Sequence, residues 1–218
     1  MKISILQPKI ERGNIQKNIS IIQELVNNAT GDLLVLAEYA LTGSLVLDEN
    51  ADTQEWAVKC DKAMRELSIP KGKSLLLNSL TIKSENIYNA CILLPDNKIM
   101  QIKNNPDNTE ISAGIHAGDD ISTFQFDGKR IKILICSDII NMDKISTLET
   151  DFILFIYHFT PENYGKHIAN LIGISKERNL PIITASLTSD KNYGHSCYVY
   201  GSTVVALGNH EGIMEVTI

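Results

Sequence analysis

Residues 32–38 read Asp-Leu-Leu-Val-Leu-Ala-Glu, an apolar run of strand length that ends in a carboxylate. A run without polar alternation predicts a strand that is covered on both faces. A second apolar run, Arg130 to Ile135, leads directly into Cys136-Ser137-Asp138. Two buried strands that end in reactive side chains indicate an α/β protein with its site at the strand ends.

The sequence around these runs predicts helices outside layered sheets. Asn14 is a good N-cap for a helix with an apolar stripe, and a second helix is predicted from about Thr53 to Leu67. A late helix is predicted to open at Pro161 and to end before Pro181. The other predicted strands are Lys2–Leu6, Ser74–Ile82, Tyr88–Leu94, Lys98–Lys103, Phe124–Phe126, Phe152–Tyr157, Ile182–Leu187, Cys197–Leu207 and Gly212–Ile218, with a loop over 104–120. We expect one domain spanning residues 1–218.

Composition narrows the function classes. Hydrophobic residues make up 44% of the 218 residues and charged residues 21%, which is typical of a globular domain. The net charge of −6, without a basic run, argues against a nucleic-acid partner. The apolar runs are too short for a membrane helix and the N-terminus lacks a signal-peptide pattern, so we expect a cytoplasmic protein without a membrane partner.

The cysteines and histidines do not follow a metal-site or cofactor motif. Cys60, Cys91, Cys136 and Cys197 form no CxxC pair, and HExxH, P-loop and GxGxxG patterns are missing from the sequence. The sequence therefore predicts free thiols in a reducing compartment, with no metal and no cofactor. Cys60, Cys91 and Cys197 lie in apolar patterns and are interpreted as core residues.

Three reactive side chains leave three predicted strands at their C-terminal ends: Glu38, Lys103 and Cys136. A thiol needs a base or a positive neighbour to become a nucleophile, and the carboxylate and the ammonium supply both. Taken singly, these residues are more often a solvated glutamate, a surface lysine and a core cysteine. Their spacing alone does not decide between the two interpretations.

Several motifs in order resemble those of the nitrilase superfamily, the carbon–nitrogen hydrolases. The segment from Asp32 to Gly43 resembles the glutamate motif of that family, and Tyr88-Asn-Ala with Lys103 resembles its lysine segment. The segment from Arg130 to Asp138 resembles its cysteine motif, and Tyr193-Gly-His-Ser its late glycine-serine segment. The resemblance thus covers nearly the whole chain.

The resemblance implies a four-layer α-β-β-α sandwich and an amidase-type reaction. It implies Glu38 as general base, Lys103 as oxyanion stabiliser and Cys136 as nucleophile, with the backbone N–H of Ser137 as a second oxyanion donor. Two interpretations of Glu110 stay open: it orients Lys103 or the substrate, or it is an exposed loop carboxylate. His158 follows a strand and is predicted to line the pocket, whereas Asp138 is expected to fix the turn after the nucleophile.

The sequence also departs from the family pattern. Ala37 stands where a proline is usual, Asn104-Asn105 where an Ile-His pair is common, and Ile139-Ile140 where Arg-Phe is familiar. The last predicted strand reaches Ile218, whereas many members have a C-terminal tail that helps to pair subunits. These departures leave the substrate and the assembly open.

The leading hypothesis is a hydrolase that cleaves a non-peptide C–N bond of a small amide or carbamoyl compound through a cysteine thioester. The alternative is an inactive nitrilase-like binding module, which the altered loop and the missing tail motivate. Acyl transfer to an amine is a third option. A homodimer is expected because homo-oligomers are common among such proteins.

Overall fold

The computed structural model describes residues 1–44, 48 and 51–218. Its strands are β1 (Lys2–Gln7), β2 (Leu33–Val35), β3 (Ser74–Lys83), β4 (Asn86–Leu94), β5 (Lys98–Ile102), β6 (Ile115–His116), β7 (Thr123–Phe126), β8 (Lys129–Ile135), β9 (Phe152–Ile156), β10 (Ile182–Ala185), β11 (Cys197–Tyr200), β12 (Thr203–Ala206) and β13 (Gly212–Thr217). Its α-helices are α1 (Ile15–Asn28), α2 (Thr53–Glu66), α3 (Asn108–Ser112) and α4 (Tyr164–Arg178), and a 3₁₀ helix spans Cys136–Lys144.

The strands form two sheets, each with parallel strands in the centre and antiparallel strands outside. The first has the order β13-β1-β2-β3-β4-β5, with β6 paired to β4, and the second has the order β12-β11-β10-β9-β8-β7. Strands β1, β2 and β3 are parallel, as are β8, β9 and β10, whereas the outer strands of both sheets pair antiparallel. Because β4 reverses direction and β5 reverses it again, β2 and β5 end at the same edge of the first sheet.

The apolar faces pack as the predicted four layers. One buried cluster joins the two sheets, with Ile5 and Val35 from the first packing with Ile133 and Ile156 from the second. A second cluster covers the outer face of the first sheet with α1 and α2. A third covers the outer face of the second sheet with α4 and the 3₁₀ helix. The predicted α-β-β-α sandwich is therefore confirmed, and burial of both sheet faces explains the uninterrupted apolar strands.

The helix starts follow local capping chemistry. The Asn14 side chain accepts the backbone N–H of Lys17, and the Asp52 side chain accepts that of Glu55, so both predicted helices begin at polar caps. The late helix begins at Tyr164 rather than at the predicted Pro161. Its predicted end before Pro181 is confirmed, because it closes on Asn179 in the left-handed conformation. No helix in the described part of the chain is long and apolar enough to cross a membrane.

Three other predictions needed correction. The predicted loop over 104–120 contains helix α3 and strand β6, because Asp107 and Glu110 form a capping box that starts a helix. The predicted strand Cys197–Leu207 is a hairpin of β11 and β12, which turns at Gly201 with a positive φ of 58°. Strand β2 stops at Val35 rather than at the predicted Ala37, and beyond it the N–H of Leu36 still bonds to β3, at the carbonyl of Leu76.

Candidate active site

Glu38, Lys103 and Glu110 meet in a buried ionic cluster at one edge of the first sheet. Nζ of Lys103 lies 2.9 Å from Oε1 of Glu38 and 2.7 Å from Oε2 of Glu110. The Lys103 side chain is 1% exposed, as is that of Glu110, and Glu38 is 5% exposed. Buried charges are costly unless they are paired, so this lysine is held by its two carboxylates.

Lys103 follows the last residue of β5 and is anchored there by its backbone. Its N–H donates to the carbonyl of Asn89 at 2.9 Å, and its carbonyl accepts from the N–H of Gly118 at 2.8 Å. Burial alone disfavours its ammonium, but the charges of Glu38 and Glu110 outweigh burial and raise the pKa of Lys103. The side chain is therefore a permanent cation at neutral pH.

Glu38 is an ionised carboxylate in this setting. Burial by itself favours its protonated form, but Lys103 and His158, together with the hydrogen bond from Asn89, hold its pKa below the usual range. Oε1 of Glu38 accepts the Lys103 ammonium and, at 2.9 Å, the side-chain amide of Asn89. A carboxylate that stays deprotonated is able to accept a proton from a thiol.

Glu110 is buried, so its interpretation as an exposed loop residue is wrong. The capping box of α3 places its side chain, with Oε2 accepting the N–H of Asp107 at 2.9 Å. Oε1 accepts the hydroxyl of Tyr39 at 2.8 Å and the amide of Asn89 at 2.9 Å. Both oxygens are thus committed to structure, and contact with Lys103 matches the orienting interpretation.

Cys136 lies where β8 ends and the 3₁₀ helix begins. Its φ of 48° is in the left-handed region, a strained conformation for a side chain other than glycine or asparagine. It is partly exposed, whereas Cys60, Cys91 and Cys197 are buried. The interpretation of those three as core residues is therefore confirmed.

The electrostatic surroundings of Cys136 favour the neutral thiol at rest. Burial is the largest cause, Glu38 and Glu110 add to it, and Lys103 opposes it, so that the pKa of Cys136 is raised. The thiol therefore keeps its proton at rest, in the field of a carboxylate that is itself ionised.

Ser137 and His158, the two other predicted site residues, contact the main chain. The Ser137 hydroxyl donates to the carbonyl of Asn105, and its own carbonyl accepts the Asn105 side-chain amide at 3.0 Å. Its N–H lies in the first turn of the 3₁₀ helix, where amides lack intrahelical partners. Nε2 of His158 donates to the carbonyl of Glu38, which requires the proton on that nitrogen, and burial lowers the pKa of His158.

Two asparagines of the site were not singled out from the sequence. Nδ2 of Asn89 bridges the carboxylates of Glu38 and Glu110 at 2.9 Å each. Oδ1 of Asn89 accepts the amide of Asn78 at 2.7 Å, and Oδ1 of Asn78 accepts the N–H of Tyr39 at 3.0 Å. The available signal was a polar amide within an apolar strand, as in Leu75-Leu-Leu-Asn78.

Tyr157 is a further neighbour of the cluster that the sequence did not indicate. Its ring stacks on Phe155, with centroids 5.0 Å apart, and its hydroxyl lies 2.8 Å from Nε2 of His167. Burial raises the pKa of Tyr157, and the charge of Glu38 adds to that effect.

Comparisons with known proteins bear on the fold. No protein-family model and no curated protein matches the sequence. Among solved structures, glutamine-dependent NAD+ synthetase from Acinetobacter baumannii matches with a TM-score of 0.83 at 21% identity, over 98% of this chain. This chain spans 44% of the synthetase.

An amidase from Nesterenkonia sp., assigned to the nitrilase superfamily, is similar over nearly its whole length. Its cysteine-to-alanine mutant matches with a TM-score of 0.84 at 16% identity, covering 99% of this chain and 89% of the amidase. A glutamate-to-glutamine mutant that carries acrylamide on its active-site cysteine by Michael addition matches with a TM-score of 0.83 at 15% identity, covering 100% and 93%. The chain therefore has the fold of nitrilase-superfamily proteins.

Proposed function

We propose that this chain, which has the fold of nitrilase-superfamily amidases, hydrolyses the C–N bond of a small amide. One observation carries the proposal: the Lys103 ammonium is buried between the carboxylates of Glu38 and Glu110, in the field of a strained, partly exposed cysteine. The set combines a base, a cation and a nucleophile, which is what acyl transfer through a thioester needs. The proposed catalytic unit is the domain spanning residues 1–218.

The first step forms a bond between Sγ of Cys136 and the amide carbonyl carbon. Glu38 takes the thiol proton as the sulfur attacks, and the carbonyl π electrons move onto oxygen. The Lys103 ammonium and the backbone N–H of Ser137 stabilise that oxyanion. A neutral resting thiol suits this order, since the proton leaves only when the attack begins.

The second step breaks the C–N bond. The oxyanion collapses, Glu38 returns its proton to the nitrogen, and ammonia or an amine leaves a thioester on Cys136. Glu38 next takes a proton from water, whose oxygen attacks the thioester carbon. The C–S bond then breaks, the carboxylic acid departs and the thiol recovers a proton from Glu38.

Glu110 serves this sequence as a positioning residue. A single carboxylate beside Lys103 would have to act both as its counterion and as the base. With Glu110 at 2.7 Å as a permanent counterion, Glu38 becomes protonated during the reaction without leaving the buried ammonium unpaired. The contacts of Glu110 with Tyr39 and Asn89 keep it in place.

The substrate class is proposed from chemistry and from the similar structures. The Nesterenkonia amidase carries acrylamide or an acetamide group on its active-site cysteine in two of its structures. We infer that small primary amides are the first compounds to test here, ahead of nitriles and carbamoyl compounds. The cytoplasmic location, the homodimer and the lack of nucleic-acid and membrane partners stay predictions.

The test is release of ammonia from a panel of small primary amides by wild type and by Cys136→Ala. We expect wild type to release ammonia and Cys136→Ala to fall to the level of the enzyme-free blank. Cys60→Ala, which removes a thiol of α2 buried against the outer face of the first sheet, is the matched control and should keep wild-type turnover. Equal rates for wild type and Cys136→Ala would overturn the proposed mechanism. If wild type released no ammonia from any amide in the panel, the binding-module alternative would be favoured.

A further inference from the structure

Asp138 links the segment that carries Lys103 to the segment that carries Cys136. Oδ1 of Asp138 accepts the backbone N–H groups of Asn104 and Asn105 at 2.9 and 2.8 Å. Oδ2 of the same carboxylate accepts the N–H of Ile135 at 3.0 Å. One carboxylate, 1% exposed, thus holds the residue before the nucleophile and the two residues after the lysine.

A second pair of hydrogen bonds closes the same gap. The Asn105 side-chain amide donates to the carbonyl of Ser137 at 3.0 Å, and the Ser137 hydroxyl donates to the carbonyl of Asn105. We call the four residues Asn104, Asn105, Ser137 and Asp138 the clasp. It joins two sheets at the point where their catalytic side chains have to meet.

We propose that Asp138 is a positioning residue, which sets the distance between Lys103 and Cys136 through the clasp. The proposal rests on the proposed function, in which those two side chains act on one carbonyl group. Lys103 is bonded directly to Asn104, and Cys136 lies between Ile135 and Ser137, so each catalytic residue is one peptide unit from a clasp contact. A displacement of about 1 Å between catalytic groups costs roughly 10²-fold in rate.

The strain at Cys136 explains why such a clasp is needed. A non-glycine residue with a φ of 48° relaxes unless the surrounding structure holds it. The contacts of Asp138 with Ile135 and of Ser137 with Asn105 grip the chain on both sides of that residue. The clasp therefore fixes the nucleophile as well as the cation.

Asp138 has to be ionised to accept three N–H groups well. Burial is the main cause that raises its pKa to about 6, against the opposing effect of the N–H donors and of Lys103. Asp138 lines a cavity next to the clasp. The titratable side chains that act on Asp138 or line the same cavity come from several elements: Cys91 from β4, Lys103 after β5, Asp119 before β7, Lys132 from β8 and Lys144 from the 3₁₀ helix. We expect the clasp to loosen, and turnover to fall, as pH drops below about 6.

The experiment compares Asp138→Asn and Asn105→Ala with Asp151→Asn. The last variant is a matched control, because Asp151 also accepts a backbone N–H of β8, that of Arg130 at 2.7 Å, but at the opposite end of the strand. In Asp138→Asn one acceptor becomes an NH₂ group, so a donor faces a donor. We expect kcat to fall about 10²-fold with KM nearly unchanged, and the decline below pH 6 to disappear.

The pH profile separates positioning from a loss of folded protein, because fewer folded molecules would scale the profile without changing its shape. If Asp138→Asn does not fold, Asn105→Ala tests the proposal instead, because it removes a clasp contact without changing a charge. We expect its kcat to fall as well, by less than in Asp138→Asn. The proposal would be overturned if Asp138→Asn and Asn105→Ala both kept the kcat and the pH–rate profile of wild type, as the control Asp151→Asn is expected to do. So would a decline below pH 6 that persists in Asp138→Asn.

A failure of the proposed function would be visible separately. If wild type releases no ammonia from any amide, the rate of Cys136 alkylation by iodoacetamide, followed against pH, still tests the clasp. Lys103 lowers the pKa of Cys136, so a lysine that moves away in Asn105→Ala should shift the alkylation profile to higher pH. An unshifted profile would overturn the proposal.

Discussion

Nζ of Lys103 lies 2.7 Å from Oε2 of Glu110, and the two side chains are each only 1% exposed. Glu110 lies in the five-residue helix α3, far from Glu38 in the sequence, yet it supplies the second counterion of the buried lysine. The ion pair divides the work at the site. In the proposed mechanism, Glu110 balances Lys103 throughout the reaction, and Glu38 is free to carry a proton.

Replacement of Glu110 by Gln tests this division directly. The variant leaves Glu38 as the sole counterion of Lys103 and places an amide donor among donors from Asp107, Tyr39 and Asn89. We expect kcat to fall about 10²–10³-fold, as for the loss of an oxyanion donor, because Lys103 is no longer held in place. The free energy of unfolding should drop by about 1–3 kcal/mol. Steady-state kinetics and urea unfolding measure the two effects.

Glu55→Gln is the control for that change. Glu55 pairs with Lys59 on the surface of α2, where its side chain is 58% exposed. Its loss should change stability by less than about 0.5 kcal/mol and leave kcat unaltered. If Glu110→Gln behaves like Glu55→Gln, Glu110 does not hold the lysine.

Asn89→Asp probes the amide that bridges the two carboxylates. The change replaces a donor by a third buried carboxyl group in contact with Glu38 and Glu110. An uncompensated buried charge costs about 3–5 kcal/mol, so thermal unfolding should occur at a much lower temperature. Asn86→Asp at the partly exposed start of β4 makes the same substitution outside the cluster and should shift stability by less than about 0.5 kcal/mol. Equal shifts for the two variants would contradict the bridging role.

Cysteine labelling is predicted to separate nucleophilicity from turnover. Cys136 should react with iodoacetamide faster than the other three cysteines, which are buried and whose pKa values burial raises, that of Cys197 to about 11. In Glu38→Gln the negative charge that raises the pKa of Cys136 is lost, while Lys103 remains. Labelling of Cys136 should therefore persist or quicken, whereas amide turnover should fall about 10²–10⁴-fold with the loss of the base. Peptide mapping of the labelled protein checks the first part, and slower labelling in Glu38→Gln would refute it.

Asp138 makes stability depend on pH in a direction that is unusual for a carboxylate. Its pKa of about 6 in the folded protein lies above the ordinary value of 3.8, so the folded state binds the proton more tightly. The contribution of Asp138 to the free energy of unfolding is about 3 kcal/mol. It is fully present at pH values below the ordinary pKa and is lost as pH rises to about 6. The stability difference between wild type and Asp138→Asn, measured by urea unfolding from pH 4 to 7, should fall over that interval.

Asp151 is expected to change the pH dependence of stability in the direction opposite to that of Asp138. Hydrogen bonds from Arg130 lower the pKa of its carboxyl group, so its contribution is present at neutral pH and is lost on acidification. Asp151→Asn should therefore shift the pH dependence in the reverse direction. Identical trends for the two variants would show that the pKa of Asp138 is not raised.

Most of the layered fold was predictable from the chain, because each strand that is buried on both faces leaves an apolar run that ends at a polar residue. Glu38, Lys103 and Cys136 were found at such ends, with the help of the motifs around them. Asn89 was present in a quoted motif but had no assigned role, since its bridging position depends on how β4 pairs with β3 and β5. Local patterns do not contain that register.

The clasp shows the same limit at longer range. Asn104 and Asn105 read as a departure from the family pattern, in a segment interpreted as a polar loop. Their contacts with Ser137 and Asp138 join residues more than 30 positions apart, which follow strands of different sheets. Only the packing of the two sheets brings these backbone groups together.

The most direct test of the central claim is whether an acyl group from an amide becomes attached to Cys136 during turnover. Wild type is mixed with a small primary amide that it hydrolyses, quenched in acid within the first turnovers and digested for peptide mass mapping. We predict a mass increase equal to the acyl group on the peptide that contains Cys136, and on no other cysteine peptide. Ammonia release with an unmodified Cys136 peptide, continuing in Cys136→Ala at the wild-type rate, would contradict the account.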